Sequence, residues 1–129
     1  MVSNKDIIRA TYEASPEQKG QRLQAALAPD ASWTEAAGFP YAGTYVGFDA
    51  IAAGVFRRLA TEWEGYDAKV HTYLEDGDTV AAFGVYSGTY RATGKAMTAT
   101  FAHLYRFKDG KIATMEQIVD SGMVLRALT

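Results

Sequence analysis

From Gly65 onward the chain alternates apolar and polar residues with a period of two, and no other feature constrains its fold as strongly. Tyr66 to Glu75, Thr79 to Arg91, Lys95 to Lys108 and Lys111 to Asp120 read as four strands. Asp76-Gly77 and Asp109-Gly110 are hairpin signals, because such pairs tolerate the positive φ that a two-residue turn between twisted strands requires. Ala92-Thr93-Gly94 reads as a longer turn. Strands joined in this way form an antiparallel meander with one face to bury.

The first half supplies what covers that face. Ser3 is placed to cap a helix running through Glu13, with Ile7, Ile8 and Tyr12 near one side. Ser15-Pro16-Glu17-Gln18 opens a second helix with a cap, a proline in the first turn and an early acid. Its apolar stripe is Leu23, Ala26 and Leu27, and Pro29-Asp30 stops it. Ala31 to Glu35 reads as a short strand carrying Trp33, and Gly38 to Gly43 as a loop holding Phe39, Pro40 and Tyr41. Gly47-Phe48-Asp49 leads into a third helix, with Ile51, Val55, Phe56 and Leu59 at helical spacing. The apolar tail Met123-Val124-Leu125 docks on the body. Helices followed by a meander predict an α+β fold, one domain over residues 1–129. A long twisted sheet curling around helices leaves a concave interior.

Composition narrows the function classes. With 48% hydrophobic and 12% aromatic residues, the chain can fill a core and still line a cavity. The net charge of −2 is spread along the sequence, with no basic block for nucleic acid and no acidic tail. There is no cysteine, which removes disulfides and thiolate metal sites, and His71 and His103 are too far apart in sequence to suggest a metal motif. No glycine-rich phosphate loop stands between a strand and a helix. The first residues lack the apolar core of a signal peptide, and no apolar run approaches the ~20 residues that span a bilayer. The expectation is a cytoplasmic protein without membrane contact, metal or cofactor.

Candidate chemistry centres on Phe101-Ala102-His103-Leu104-Tyr105-Arg106-Phe107. Alternation puts Phe101, His103, Tyr105 and Phe107 on one face, so an ionisable ring sits among three aromatics. A two-residue turn at Asp109-Gly110 pairs Lys108 with Lys111. His103 then falls opposite Glu116, Phe101 opposite Ile118 and Ala99 opposite Asp120, all facing the same way. Asp120 would lie roughly 13 Å along the strand from His103, flanking a ligand rather than bonding to the ring. His103 suits a general acid, a general base or a hydrogen-bond donor; alternatively it is structural and paired with Glu116. Asp120 near an apolar wall suits acid–base work; alternatively it caps the turn into Ser121-Gly122. Glu35 shares a face with Trp33 and is either a buried base or a solvated strand end. Tyr12 offers a phenol to a pocket or simply packs in the core. Trp33, Phe39, Phe56, Phe101 and Ile118 are the expected walls, and His71 reads as surface.

These segments resemble a known family. The order helix, helix, short strand, helix, long meander is similar to the NTF2-like fold, a cone-shaped barrel of helices packed on a curved, mostly antiparallel sheet. Phe39 to Gly47, Phe101 to Ile112 and Val119-Asp120-Ser121 resemble its SnoaL-like branch, related to ketosteroid isomerases and polyketide cyclases. The resemblance implies an acid–base role for Asp120, which matches the aspartate ending the last strand in SnoaL-like cyclases. It also places Tyr12 and His103 at the oxyanion-hole positions of ketosteroid isomerases and Glu35 at the base position. Glutamate in place of the aspartate base, and histidine in place of the oxyanion acid, depart from the isomerase pattern.

The expected function is a small cofactor-independent enzyme that binds an apolar carbonyl-bearing molecule and transfers a proton, as an isomerase or cyclase does. The alternatives are a non-catalytic binding protein and a dimerisation module of the same fold. A hydrolase resembling limonene epoxide hydrolase ranks lower, because alternation turns Arg106 away from His103. The resemblance implies a homodimer formed through the outer sheet face.

Overall fold

The computed structural model describes residues 2–129. Helix α1 (Asn4–Glu13) begins at a reciprocal cap: the Asp6 amide donates to Ser3 Oγ (3.1 Å) and the Ser3 amide to the Asp6 carboxylate (3.3 Å). Helix α2 (Pro16–Ala26) follows, with Pro16 in its first turn and Leu23 and Ala26 turned inward. It ends earlier than Pro29-Asp30 suggests, and strand β1 (Leu27–Glu35) starts at once. Proline has no amide hydrogen for a ladder, and the β1 register slips between Leu27 and Ser32, where Pro29 lies.

Strand β2 (Gly43–Val46) has no counterpart in the sequence reading. Its side chains are mostly exposed, so it carries no alternation to detect. It lies antiparallel to β1, with Glu35 beside Gly43. The third helical region begins as α3 (Phe48–Ile51), loosens into a π-helical stretch (Ala52–Phe56) and resumes as α4 (Arg57–Glu62). Ile51, Val55 and Leu59 are buried as their spacing predicts. The Tyr45 ring lies against Gly54, where a β-carbon would come within 2.2 Å of it.

The long strands are β3 (Trp63–Asp76), β4 (Thr79–Tyr90), β5 (Lys95–Lys108) and β6 (Lys111–Val119). The sheet order is β2-β1-β6-β5-β4-β3, antiparallel except for the β1–β6 pair. Two register shifts in β3, between Glu64 and Asp67 and between Val70 and Thr72, help bend the sheet around the helices. The first hairpin turn is Gly77-Asp78, one residue later than expected, since Asp76 still pairs with Thr79. Asp109-Gly110 turns as expected, with φ of 52° and 77°.

Beyond that turn the register corrects the sequence reading. Lys108 pairs with Lys111 and Phe107 with Ile112, but Arg106 pairs with Thr114. Ala113 is thus an extra residue on β6, and every later β6 side chain changes face. His103 lies opposite Gln117, not Glu116, and Phe101 opposite Val119, not Ile118. The tail forms helix α5 (Ser121–Leu128), which packs on β5 through Val124 and Ala127. No helix of the described residues is long and apolar enough to cross a membrane.

Candidate active site

Among the described residues, the buried charged or amide side chains are Glu35, His103 and Gln117, and all of them line one cavity. That cavity, about 400 Å³, lies between the inner sheet face and the helices, within the range of small-molecule sites. Trp33, Phe39, Phe56, Leu23 and Leu59 form apolar wall, while Tyr12, Tyr66, Tyr86 and Tyr105 bring phenols. Half-buried Lys19 and exposed Pro16, Ala60 and Asp67 border it toward solvent. No group of His, Cys, Asp and Glu among the described residues is arranged to hold a metal ion.

His103 sits in the middle of β5, and its ring is bonded at both nitrogens. Nδ1 meets the Tyr12 hydroxyl and Nε2 meets the Tyr86 hydroxyl. The Tyr12 hydroxyl continues to Tyr105 at 2.6 Å. Gln117 Nε2 donates to the Tyr86 oxygen at 2.9 Å, while Gln117 Oε1 accepts from the Ala36 amide at 2.9 Å. Burial without a charged partner lowers the His103 pKa from 6.5 to about 3, so the ring is neutral near pH 7. Burial also pushes the phenols of Tyr12, Tyr66, Tyr86 and Tyr105 upward, so all remain protonated donors.

Glu35 ends β1 with its carboxyl turned inward. Its Oε1 accepts from the Trp33 indole at 3.3 Å, and its Oε2 is buried with no partner. Among the described residues, the other buried side-chain oxygen without a partner is Thr114 Oγ1, next to the β6 bulge. Burial raises the Glu35 pKa from 4.5 to about 7, and the single indole bond offsets only part of this. A carboxyl poised near neutrality, with one free oxygen in a cavity rich in phenols, can take a proton and return it.

The structure brings Tyr12, Glu35 and His103 together with Trp33, Phe39 and Phe56. Asp120 is not among the cavity residues; it is exposed and caps α5, accepting from the Met123 amide at 3.3 Å. Ile118 is 67% exposed on the outer face, because the Ala113 bulge inverted its strand. The expected His103–Glu116 pair is absent for the same reason: Glu116 lies opposite Leu104 and is exposed. Phe101 is buried behind the cavity wall, stacked on Tyr86 with ring centres 4.1 Å apart. The sequence reading missed Tyr86, Tyr66 and Gln117 as site residues and used Tyr105 only as a neighbour of His103. Alternation along β4 was the available signal for Tyr86, which shares an inward face with Ala82 and Gly84. Those small residues stand opposite His103 and Phe101, and a β-carbon at Gly84 would crowd the Phe101 ring at 2.8 Å.

Helices laid across a curved, unclosed six-stranded sheet, with a polar-centred cavity between the two layers, define an NTF2-like α+β protein. The chain belongs to the SnoaL-like family: the model of the SnoaL-like domain matches residues 8–115. Among solved structures, an NTF2-like protein from Burkholderia thailandensis E264 is 43% identical, with a TM-score of 0.95 over 100% of this chain and 99% of that one. An NTF2-like protein of unknown function from Burkholderia pseudomallei K96243 is 29% identical, with a TM-score of 0.87 over 98% of each chain. TerC, co-crystallised with polyporic acid, is 25% identical, with a TM-score of 0.83 over 95% of each chain. No curated protein matches the chain.

Proposed function

We propose that this protein binds a compact, apolar, carbonyl-bearing molecule in the cavity and moves a proton at the carbon beside the carbonyl. The observation that carries this reading is the unpaired Glu35 Oε2, buried in the same cavity as several phenolic donors. The Glu35 carboxylate takes the proton from carbon, and the carbon–hydrogen electrons pass into the carbonyl to form an enolate. A phenol hydroxyl of the cavity donates to that oxygen as charge develops, in surroundings where water is largely excluded. Glu35 then returns the proton, to the same carbon or to a conjugated one, giving exchange or isomerisation. The apolar walls favour an aromatic or alicyclic body, and the TerC complex with polyporic acid supports reading this as a small-molecule site.

The test is deuterium exchange at the carbon next to the carbonyl of 1-tetralone in heavy water, followed by proton NMR. Glu35→Gln is expected to slow protein-catalysed exchange at least ~100-fold, the usual scale for a positioned acid–base group. Equal exchange in the two proteins would sink the assignment. Tight binding without exchange in the native protein would leave a carrier instead.

The protein is also proposed to form a homodimer through its outer sheet face. Phe83, Ala102 and Ile118 run side by side across β4, β5 and β6 there, with Phe83 37% and Ile118 67% exposed. Light scattering of native and Ile118→Asp protein checks it: a dimer for the first and a monomer for the second.

A further inference from the structure

Tyr86, His103, Tyr12 and Tyr105 form an unbroken hydrogen-bonded line along the cavity. The neutral imidazole carries one N–H and one bare nitrogen. The line therefore holds four hydrogens, one on each phenol and one on the ring, and joins its members through three links. Each link consumes one hydrogen, so a single hydrogen is left over.

Where that hydrogen points is decided by the ring. With the hydrogen on Nε2, His103 donates to Tyr86, Tyr12 donates to Nδ1 and Tyr105 donates to Tyr12. The spare hydrogen is then that of Tyr86. With the hydrogen on Nδ1, His103 donates to Tyr12 and Tyr86 must donate to Nε2. The spare hydrogen is then at the Tyr12–Tyr105 end. Gln117 does not change this count. The Ala36 amide holds its oxygen, so its NH₂ faces Tyr86, and the Tyr86 oxygen only accepts from it. In either state one end of the line offers a donor, and the other end keeps only lone pairs for a ligand.

We propose that the cavity selects molecules bearing one accepting and one donating oxygen, a hydroxy ketone or a keto–enol, over molecules with a single such group. This rests on the reading of the cavity as a site for carbonyl compounds, and it adds the second oxygen. A carbonyl meets the end of the line that donates, and a hydroxyl meets the end that accepts. Binding in a given orientation fixes His103 in one tautomer, so the two oxygens are recognised jointly.

The experiment compares 6-hydroxy-1-tetralone with 1-tetralone, which lacks the hydroxyl, and with the corresponding tetrahydronaphthol, which lacks the ketone. Calorimetric titration gives the affinities. Nitrogen-15 NMR of the imidazole in a His71→Gln background reads the His103 tautomer directly, because no other histidine remains. The hydroxy ketone is expected to bind about tenfold tighter than either single-oxygen compound, the scale of one well-formed hydrogen bond. The ring is expected to go from a mixture of tautomers to one at saturation. Tyr12→Phe cuts the line and should reduce the preference to about twofold or less. No preference in the native protein, or a tautomer ratio unmoved by saturating hydroxy ketone, overturns the proposal. If 1-tetralone still exchanges deuterium through Glu35 in that case, the reading of the site survives alone. Failure of all three compounds to bind overturns both.

Discussion

Around Tyr41 a phenol, a carboxylate and an indole N–H close on one another; around Glu35 the same kinds of group do not. Tyr41 donates to Glu62 at 2.8 Å and accepts from the Trp63 indole at 3.1 Å. Arg58 bonds the second Glu62 oxygen at 2.9 Å and lies over the Tyr41 ring. Burial pushes Glu62 upward, but the bonds from Arg58 and Tyr41 outweigh it and hold its carboxyl below the usual range. Glu35 has an indole partner too, but no cation and no phenol bonded to it, and burial wins. The difference lies in completion rather than composition. A satisfied cluster ties the Phe39–Tyr41 loop to α4 and β3, while the unsatisfied one leaves a buried carboxylate oxygen without a partner.

If that comparison is right, the largest effect belongs to Glu35→Gln, with at least ~100-fold loss of exchange and a correctly folded protein. In the native protein, exchange should rise with pH through about 7, as the carboxyl ionises. A pH profile without that rise would place the base elsewhere.

Stability against pH distinguishes the clusters next. Glu35, with a native pKa of about 7 against an ordinary 4.5, keeps a proton that the unfolded chain releases, so its contribution to stability falls as pH rises between those values. His103, at about 3 against 6.5, has the opposite effect: its contribution is full above 6.5 and is lost as pH falls toward 3. Between about 4.5 and 6.5 the two slopes oppose each other. Glu35→Gln should unmask the histidine, with stability rising by about 1.4 kcal/mol per pH unit across that window in urea titrations. An unchanged slope would mean that Glu35 is not buried as an acid.

Tyr41→Phe should cost about 1–3 kcal/mol, because it strands the Trp63 indole and one Glu62 oxygen, and should leave exchange within about twofold. A large loss of exchange would show that the two clusters are coupled. The smallest effect is expected at Asp120→Asn: less than about 1 kcal/mol and no loss of exchange, since asparagine caps a helix as well as aspartate. A loss of exchange there would restore the acid–base role that the family resemblance implies.

Much of this was legible in the sequence where local rules govern. Capping at Ser3, proline at Pro16 and the Asp109-Gly110 turn each act within a few residues, and the two helix starts and the turn fell where expected. His103, Glu35 and Tyr12 stood out because polar groups on apolar faces are visible in one dimension. The misses came from effects that span strands. Ala113 looks like any strand residue, yet its bulge turned Gln117 inward and Ile118 outward. Strand β2 exists because β1 offers it an edge, and its own residues carry no pattern. Tyr86 became a site residue because Ala82 and Gly84 leave room beside it, which depends on the β4–β5 register.

The Ala113 bulge also decides which β6 side chains face the cavity. If β6 kept all its residues but paired regularly from the turn, Glu116 and Ile118 would replace Gln117 on the inner face. The amide that fixes Tyr86 would leave, and a second acid would enter beside His103. In a lineage built on this scaffold, loss of the Ala113 codon would straighten β6 yet leave Gln117 opposite His103, so a slip of register, not that deletion, redraws the interior.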